Sequence, residues 1–202
     1  MVFLLTEELA FPDPHNGDPD GLLAVGGDLS VDRLLLAYSN GIFPWYAFRQ
    51  GVIEWWCPLQ RFVIFSSEII ISNSMLTLMT KGKYDITFNQ AFDRVIKACG
   101  DLRKDEEGAW LGEDMIKAYT ALHEQGFAAS VEVWEEDRLV GGLYGVAIGR
   151  CFFGESMFSL VPSASKLALI HLARFFEEHG GALIDCQFET PHLKLMGGRY
   201  IS

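Results

Sequence analysis

No stretch of this 202-residue sequence stays apolar for the roughly 18–20 residues that a helix needs to cross a bilayer. The apolar opening, Val2-Phe-Leu-Leu5, is far too short for the core of a secretion signal, and Glu7 and Glu8 follow it at once. The four cysteines (Cys57, Cys99, Cys151, Cys186) are scattered and form no C-x-x-C pair, and the five histidines show no H-x-x-x-H spacing. That excludes a disulfide framework and gives no support for zinc, so the expectation is reduced thiols in a cytoplasmic protein without a metal. A P-loop, a G-x-S-x-G elbow and a dinucleotide fingerprint are also missing. The glycines of "VGGLYGVAIG" fall inside strand-like sequence rather than at a strand-turn-helix junction.

Positive charge is scarce too. The net charge is −11, and the first 32 residues carry seven acids (Glu7, Glu8, Asp13, Asp18, Asp20, Asp28, Asp32) with no Lys or Arg. Such a balance argues against generic nucleic-acid binding, which needs many phosphate contacts. One segment runs the other way: between Lys81 and Lys104 six bases (Lys81, Lys83, Arg94, Lys97, Arg103, Lys104) face three acids. It is either a solvated helix face or a local patch that touches phosphates.

What is present suits a globular protein, with half the residues hydrophobic and 21% charged. The Pro- and Gly-rich stretch 11–28 reads as a structured loop. Ser30 caps a helix to about Ser39, with Leu34, Leu35 and Tyr38 on one stripe, and Asn40-Gly41 ends it. Trp45, Trp55 and Trp56 follow within twelve residues, and Trp110 lies further on. Each is either packing or a stacking platform for a base. Beyond Pro58 the sequence predicts a strand at Arg61–Phe65, a helix from an Asn89 cap to Ala98, and another from Glu113 to Gln125. A hairpin over 129–148 with an acidic tip, a third strand at 151–158, a helix opened by Ser163 or Ser165, and a last strand at 182–188 complete the reading. The order implies an α+β fold with a mostly antiparallel sheet and at least one helical crossover, divided into 1–61 and 62–202.

The last strand, Ala182-Leu-Ile-Asp-Cys-Gln-Phe188, carries a carboxylate in an apolar run. Alternation sends Ile184, Cys186 and Phe188 one way, with Cys186 read as core, and Asp185 and Gln187 the other. An acidic acceptor beside an orienting amide suits general-base work, and a structural hydrogen-bonded pair suits the pattern equally well. In "FFGESMFS" the same rule places Phe153, Glu155 and Met157 on one face, with Glu155 paired or beside a cleft. Five glycines among residues 141–154 suggest bulges or a ligand lying close to the backbone.

Taken in order, "GLLAVGGDLS", "YSNGIFPW", "WWCP", "AFDRVIKAC", "VEVW", "LVGGLYGVAIGRCFFGESMFS", "ASKLAL" and "IDCQ" resemble the leucyl/phenylalanyl-tRNA–protein transferase family across residues 10–198. The resemblance implies a small N-terminal domain and a C-terminal acyltransferase domain like that of the acetyltransferase superfamily. It implies transfer of Leu, Phe or less readily Met from aminoacyl-tRNA to an N-terminal Arg or Lys, making an N-end rule degradation signal. The activated ester needs no ATP, metal or other cofactor. Asp185 and Gln187 match the family's catalytic "DxQ" pair, and Glu155 would help hold the cationic acceptor or the amine. An aminoacyl pocket would draw on Leu143, Phe153, Met157 and Ile184, with Trp45, Trp56 or Trp110 stacking on the terminal adenosine. The expected partners are aminoacyl-tRNA and the acceptor protein, with no membrane, and the expected state is a monomer. The sequence departs from the family at Ala109 and Leu111 around Trp110, at Ala129, in "HLKLMGG", and in stopping at Ser202. The competing readings are a degenerate tRNA- or peptide-binding module and a CoA-dependent N-acetyltransferase. The second needs a pyrophosphate-binding Q/R-x-x-G-x-G/A turn that "SLVPSASKLAL" does not supply.

Overall fold

A computed structural model describes residues 2–47, 52–102 and 112–202. Two sheets organise the chain. The first joins β1 (Phe3–Leu5), β2 (Leu22–Gly26), β3 (Phe43–Ala47) and β4 (Val52–Trp56) in the order β1-β2-β4-β3, with α1 (Val31–Ser39) between β2 and β3. Ser30 caps α1 as expected, its Oγ accepting from the Arg33 N–H, and Gly41 (φ 71°) turns the chain after it.

The second sheet has seven strands, among them β5 (Arg61–Phe65), β6 (Asp85–Phe88), β7 (Ala128–Glu135) and β8 (Arg138–Ile148). With β9 (Cys151–Ser159), β10 (Leu183–Asp185) and β11 (Arg199–Ile201), the order is β11-β5-β10-β9-β8-β7-β6. Every pairing is antiparallel except β9–β10, which α5 (Ala164–Glu178) connects as the expected helical crossover. The remaining helices are α2 (Asn73–Thr80), α3 (Phe92–Asp101), α4 (Glu113–Glu124) and the short α6 (Pro191–Leu195). Among the described residues, no helix is long and apolar enough to cross a membrane.

Two hydrophobic clusters cover the faces of the large sheet. Leu143, Phe152 and Ile184 pack under α5 (Leu167, Ile170, Ala173) together with Met75 and Leu193. On the other face Tyr144, Val146, Phe153 and Phe158 meet α3 and α4 through Val95, Ile96, Tyr119 and Leu122, and the same cluster continues into Leu23, Leu34, Tyr38 and Trp55. The small sheet ends at Trp56 and the large one begins at Arg61, yet one continuous core serves both.

Leu22–Gly26, inside the stretch read as a loop, is strand β2, and the strand expected over 182–188 spans only Leu183–Asp185. Two further expectations change. Asn89 does not cap α3: it adopts a left-handed backbone (φ 58°), and its Oδ1 accepts from the Ser130 N–H. The fully buried Glu132 takes over at that end, lying 3.4 Å from the N–H groups of Gln90 and Ala91 while Thr87 and Ser130 hydroxyls donate to it at 2.5 Å. A helix start needs acceptors, and a buried carboxylate from a neighbouring strand supplies them without a local cap residue.

The second change is a β-bulge in β9. Tyr144 faces Ser156 and Gly145 faces Gly154, so Glu155 is an extra residue. Phe153 and Met157 therefore lie in different clusters, and Phe152 and Met157 share one. The single face predicted for Phe153, Glu155 and Met157 is broken at its middle. Gly145 is where this crossing is tightest, because a Cβ there would collide with the Phe153 carbonyl oxygen and the Phe152 ring. Gly145→Ala should cost about 1–3 kcal/mol of stability, as overpacking in a rigid core does, and this is measurable by urea unfolding.

Candidate active site

After Asp185 the chain parts from β9 while staying bonded to β5, the Cys186 N–H donating to the Phe62 carbonyl and the Gln187 carbonyl accepting the Phe62 N–H. The β9–β10 ladder pairs Leu183 with Cys151, Ile184 with Phe152 and Asp185 with Phe153, and then stops, while β9 runs on to Ser159. A cavity of about 350 Å³ opens where the strands part. Gly154, Glu155 and Ser156 form one wall, and Cys186, Gln187 and Phe188 the other. Its floor is apolar: Leu143, Phe152, Met157, Leu169, Leu172 and Ile184. Phe43, Pro44 and Trp45 from β3 close it from the first sheet.

Asp185 is buried, and its two oxygens have separate partners. Oδ1 accepts the Gln187 N–H at 2.8 Å, and Oδ2 lies 3.2 Å from Arg61 Nε in an ion pair that is not aligned as a hydrogen bond. Burial pushes the Asp185 pKa up, and the Arg61 charge and the Gln187 N–H pull against it. Arg61 also donates from Nη2 to the Gly41 carbonyl (2.5 Å), and its guanidinium sits 4.9 Å over the Phe43 ring.

Gln187 is not on the Asp185 face. Its left-handed backbone (φ 58°) ends the alternation, so Gln187 joins Ile184, Cys186 and Phe188 in lining the cavity. Asp185 supports that turn from behind and is not among the described lining residues. Cys186 packs against the core cluster under α5, as expected, and also forms part of the cavity wall. Burial holds its thiol, and that of Cys151, up to about 12, so neither is a thiolate nucleophile at neutral pH.

Glu155 retains some accessible surface, but protein surrounds its carboxylate. Tyr38 of α1 donates to Oε1 at 2.7 Å, Tyr119 of α4 donates to Oε2 at 2.9 Å, and the two hydroxyls lie 2.5 Å apart. Burial pushes the Glu155 pKa up to about 7 against the pull of the two hydroxyls, and raises both phenols well above their usual range. The proton count explains the balance. With Glu155 ionised, two phenolic protons serve three short contacts; a protonated carboxyl adds the third.

The residues singled out in the sequence sort as follows. Leu143, Met157, Ile184, Gln187, Glu155 and Trp45 meet at the cavity. Phe153 lies on the opposite face, against Tyr38 (5.1 Å between ring centroids), and Phe152 takes the place expected of it because of the bulge. Trp56 stands one ring back, 5.8 Å from Trp45 and bonded to Glu54, and Trp110 falls outside the described residues. Of the five glycines in 141–154, Gly154 lines the cavity, and Gly145 is tight because of packing. Among the described residues no group of three His, Cys, Asp or Glu side chains could hold a metal ion. Tyr38, Tyr119 and Arg61 were missed as site residues. A tyrosine on an otherwise apolar helix stripe was the available signal, because a buried hydroxyl needs a partner.

Residues 63–202 match the model of the family described as leucyl/phenylalanyl-tRNA protein transferase, and residues 27–59 match that family's N-terminal domain. The chain belongs to the leucyl/phenylalanyl-tRNA–protein transferase family. It is an aminoacyltransferase. A family member from Nitrosomonas europaea is 52% identical over all of this chain and 86% of its own length. One from Flavobacterium psychrophilum is 48% identical over 99% and 95%. FemX (12% identity, TM-score 0.50, covering 84% of this chain and 66% of FemX) shares the fold. So does a conserved protein of unknown function from Bacteroides thetaiotaomicron (11%, TM-score 0.51, 88% and 67%).

The Glu155 carboxyl has a pH signature. Its folded pKa lies above that of an unfolded glutamate, so the folded chain holds the extra proton between about pH 4.5 and 7, and this site's contribution to stability falls as pH rises through that window. Glu155→Gln should raise the melting temperature relative to the parent at pH 8, with the difference shrinking towards pH 5. A thermal-unfolding series across pH that shows a constant offset would contradict it.

Proposed function

We propose that this enzyme moves Leu, Phe or, less readily, Met from aminoacyl-tRNA to the α-amine of proteins that begin with Arg or Lys, acting as a cytoplasmic monomer. The product would be an N-terminal degradation signal. The observation that carries the reading is a largely apolar chamber of about 350 Å³ with Gln187 and Glu155 in its facing walls.

The chamber suits the aminoacyl side chain. Its volume lies in the range of small-molecule sites, and its walls offer Leu143, Met157, Ile184 and Phe152. Such a wall separates one methylene from another by only about 1–3 kcal/mol, so mixed use of Leu, Phe and Met follows, while a charged side chain would be desolvated without a partner. Trp45, at the cavity rim and backed by Trp56 and Phe188, is the surface offered to the terminal adenine.

The reaction forms one C–N bond and breaks the ester C–O bond to the ribose. The attacking amine has a reference pKa near 8, so part of it is protonated at neutral pH and must lose that proton before attack. Gln187 orients the nitrogen from the cavity wall. The proton released on attack passes towards Asp185 through Gln187 or a water, since the Asp185 carboxylate sits behind the turn, and then returns to the leaving ribose oxygen. Glu155, with its pKa near 7, is partly ionised at neutral pH, and from behind the Tyr38 and Tyr119 hydroxyls its charge favours the cationic end of the acceptor.

Asp185→Asn should lower the rate of leucyl transfer from charged Leu-tRNA to an Arg-initiated protein by about 100-fold or more, the upper range for general acid–base groups, with tRNA binding retained. Full-rate transfer by that variant would remove Asp185 from the mechanism. Absence of transfer by the parent enzyme would favour a binding module, and acetylation from acetyl-CoA would favour the N-acetyltransferase reading.

Lys81, Lys83 and Lys97 are exposed around α2 and α3, with Lys83 paired to Glu135 and Arg94 laid over the Trp134 ring; Arg103 and Lys104 fall outside the described residues. α2 packs on the α5 face of the large sheet and α3 on the other, so these bases form no single patch; we take them as separate phosphate contacts that let an acidic protein hold tRNA. Reversing Lys81 and Lys97 to Glu should raise the KM for aminoacyl-tRNA several-fold and flatten its salt dependence by about one contact each, measured by transfer at graded salt.

A further inference from the structure

The Asp185–Gln187 turn does not hold itself in place. A left-handed backbone at a non-glycine residue is strained and persists only where the surroundings impose it. Here the carboxylate that accepts the Gln187 N–H must itself stay put, buried at the end of a three-residue strand. The group placed against it is the Arg61 guanidinium, nearly buried, 3.2 Å from Oδ2. The same guanidinium donates to the carbonyl of Gly41, the residue that turns the chain after α1, and lies over Phe43, which lines the cavity. Gly41 is three residues from Tyr38, which grips Glu155. Arg61 is thus where the two polar networks of the site meet the first sheet.

We infer that Arg61 is a positioning residue for aminoacyl transfer: by pairing with Asp185 and holding the Gly41 carbonyl, it fixes the Asp185–Gln187 turn against the end of α1. The inference rests on the role proposed above for Asp185 and Gln187. Arg61 touches neither the ester nor the amine in this scheme; it acts through Asp185.

The groups that face Asp185 define the pH behaviour. They are Arg61 from β5, Glu155 and Cys151 from β9, and Cys57 and Cys186 from the flanking segments. The thiols are held neutral by burial, so Arg61 supplies the favourable charge for an ionised Asp185, and Glu155 opposes it when ionised. Removing Arg61 therefore raises the pH at which Asp185 loses its proton, and the acid limb of the rate profile moves upward.

The test is steady-state leucyl transfer from charged tRNA to an Arg-initiated protein between pH 5.5 and 9, with Arg61→Met, Arg61→Lys, Asp185→Asn and the Arg61→Met/Asp185→Asn double variant. Arg61→Met should lower kcat by about 30-fold or more, with the KM for aminoacyl-tRNA within about threefold of the parent. Its acid limb should move up by about one pH unit, the size of a lost neighbouring charge. Arg61→Lys should recover part of the rate and move the limb less, because an ammonium keeps the charge but not the fork that spans Asp185 and Gly41. The double variant should be no slower than Asp185→Asn alone, as expected when one residue acts through the other. An unshifted profile in Arg61→Met, with activity lost only in proportion to unfolded protein, overturns the inference. If Arg61→Met does not fold, an unshifted profile in Arg61→Lys overturns it equally. Full activity in Asp185→Asn would instead remove the underlying role of Asp185. Loss in Asp185→Asn with none in Arg61→Met removes Arg61 alone.

Discussion

The site depends on the cost of keeping two carboxylates in a place that water barely reaches. Asp185 and Glu155 sit on neighbouring strands, close enough for the Asp185 charge to raise the proton affinity of Glu155, at the edge of two apolar clusters. An unpartnered charge there would protonate. The chain meets the two demands differently. Asp185 receives a cation and a backbone N–H, which work to keep it ionised. Glu155 receives two phenols and no cation, and its pKa rises to about 7, so it is divided between the two forms at neutral pH. Two similar groups thus reach different protonation behaviour through their partners alone.

Those partners explain why the first sheet is attached as it is. Tyr38 and Gly41 come from α1 and its end, Arg61 from the start of β5, and Tyr119 from α4. Each polar contact crosses between segments far apart in the sequence, and each is embedded in a hydrophobic cluster that runs without a break from Leu23 and Trp55 to Phe153 and Phe158. The apolar cluster supplies most of the adhesion, since its burial scales with area. The hydroxyl and guanidinium contacts add register, because an apolar face alone would tolerate sliding by a side-chain width.

Periodicity located β5, the β7–β8 hairpin, β9, β10 and the crossover helix, because strand alternation and helical stripes are local properties, and it passed over β6, β11 and the short strands of the first sheet. It misassigned faces at two points, and both are places where the chain departs from regular geometry. The bulge at Glu155 exchanges Phe153 for Phe152 in the cavity, and the left-handed Gln187 separates it from Asp185. The glycine density over 141–154 signalled a bulge without placing it at Glu155, while no glycine marks the left-handed turn at Gln187. Asp185, Gln187 and Glu155 stood out because each is polar in an apolar run. Tyr38, Tyr119 and Arg61 did not, because each can be read as ordinary packing or a strand end, and their hydrogen-bonding partners are distant in sequence.

That pattern has a physical reason. A sheet whose ladder stays regular buries its backbone groups against one another and leaves nothing to bind a ligand. Where β10 ends at Asp185 while β9 continues, ladder pairing stops, a cavity opens, and side chains next to the gap can face a substrate. Holding such a gap open in a packed core requires backbone states that alternation does not predict, together with polar anchors from elsewhere in the chain. The features that broke the sequence reading, a bulge on one strand and a left-handed residue after the other, lie on opposite walls of the same gap. Their coincidence is therefore expected of a site built by parting two strands.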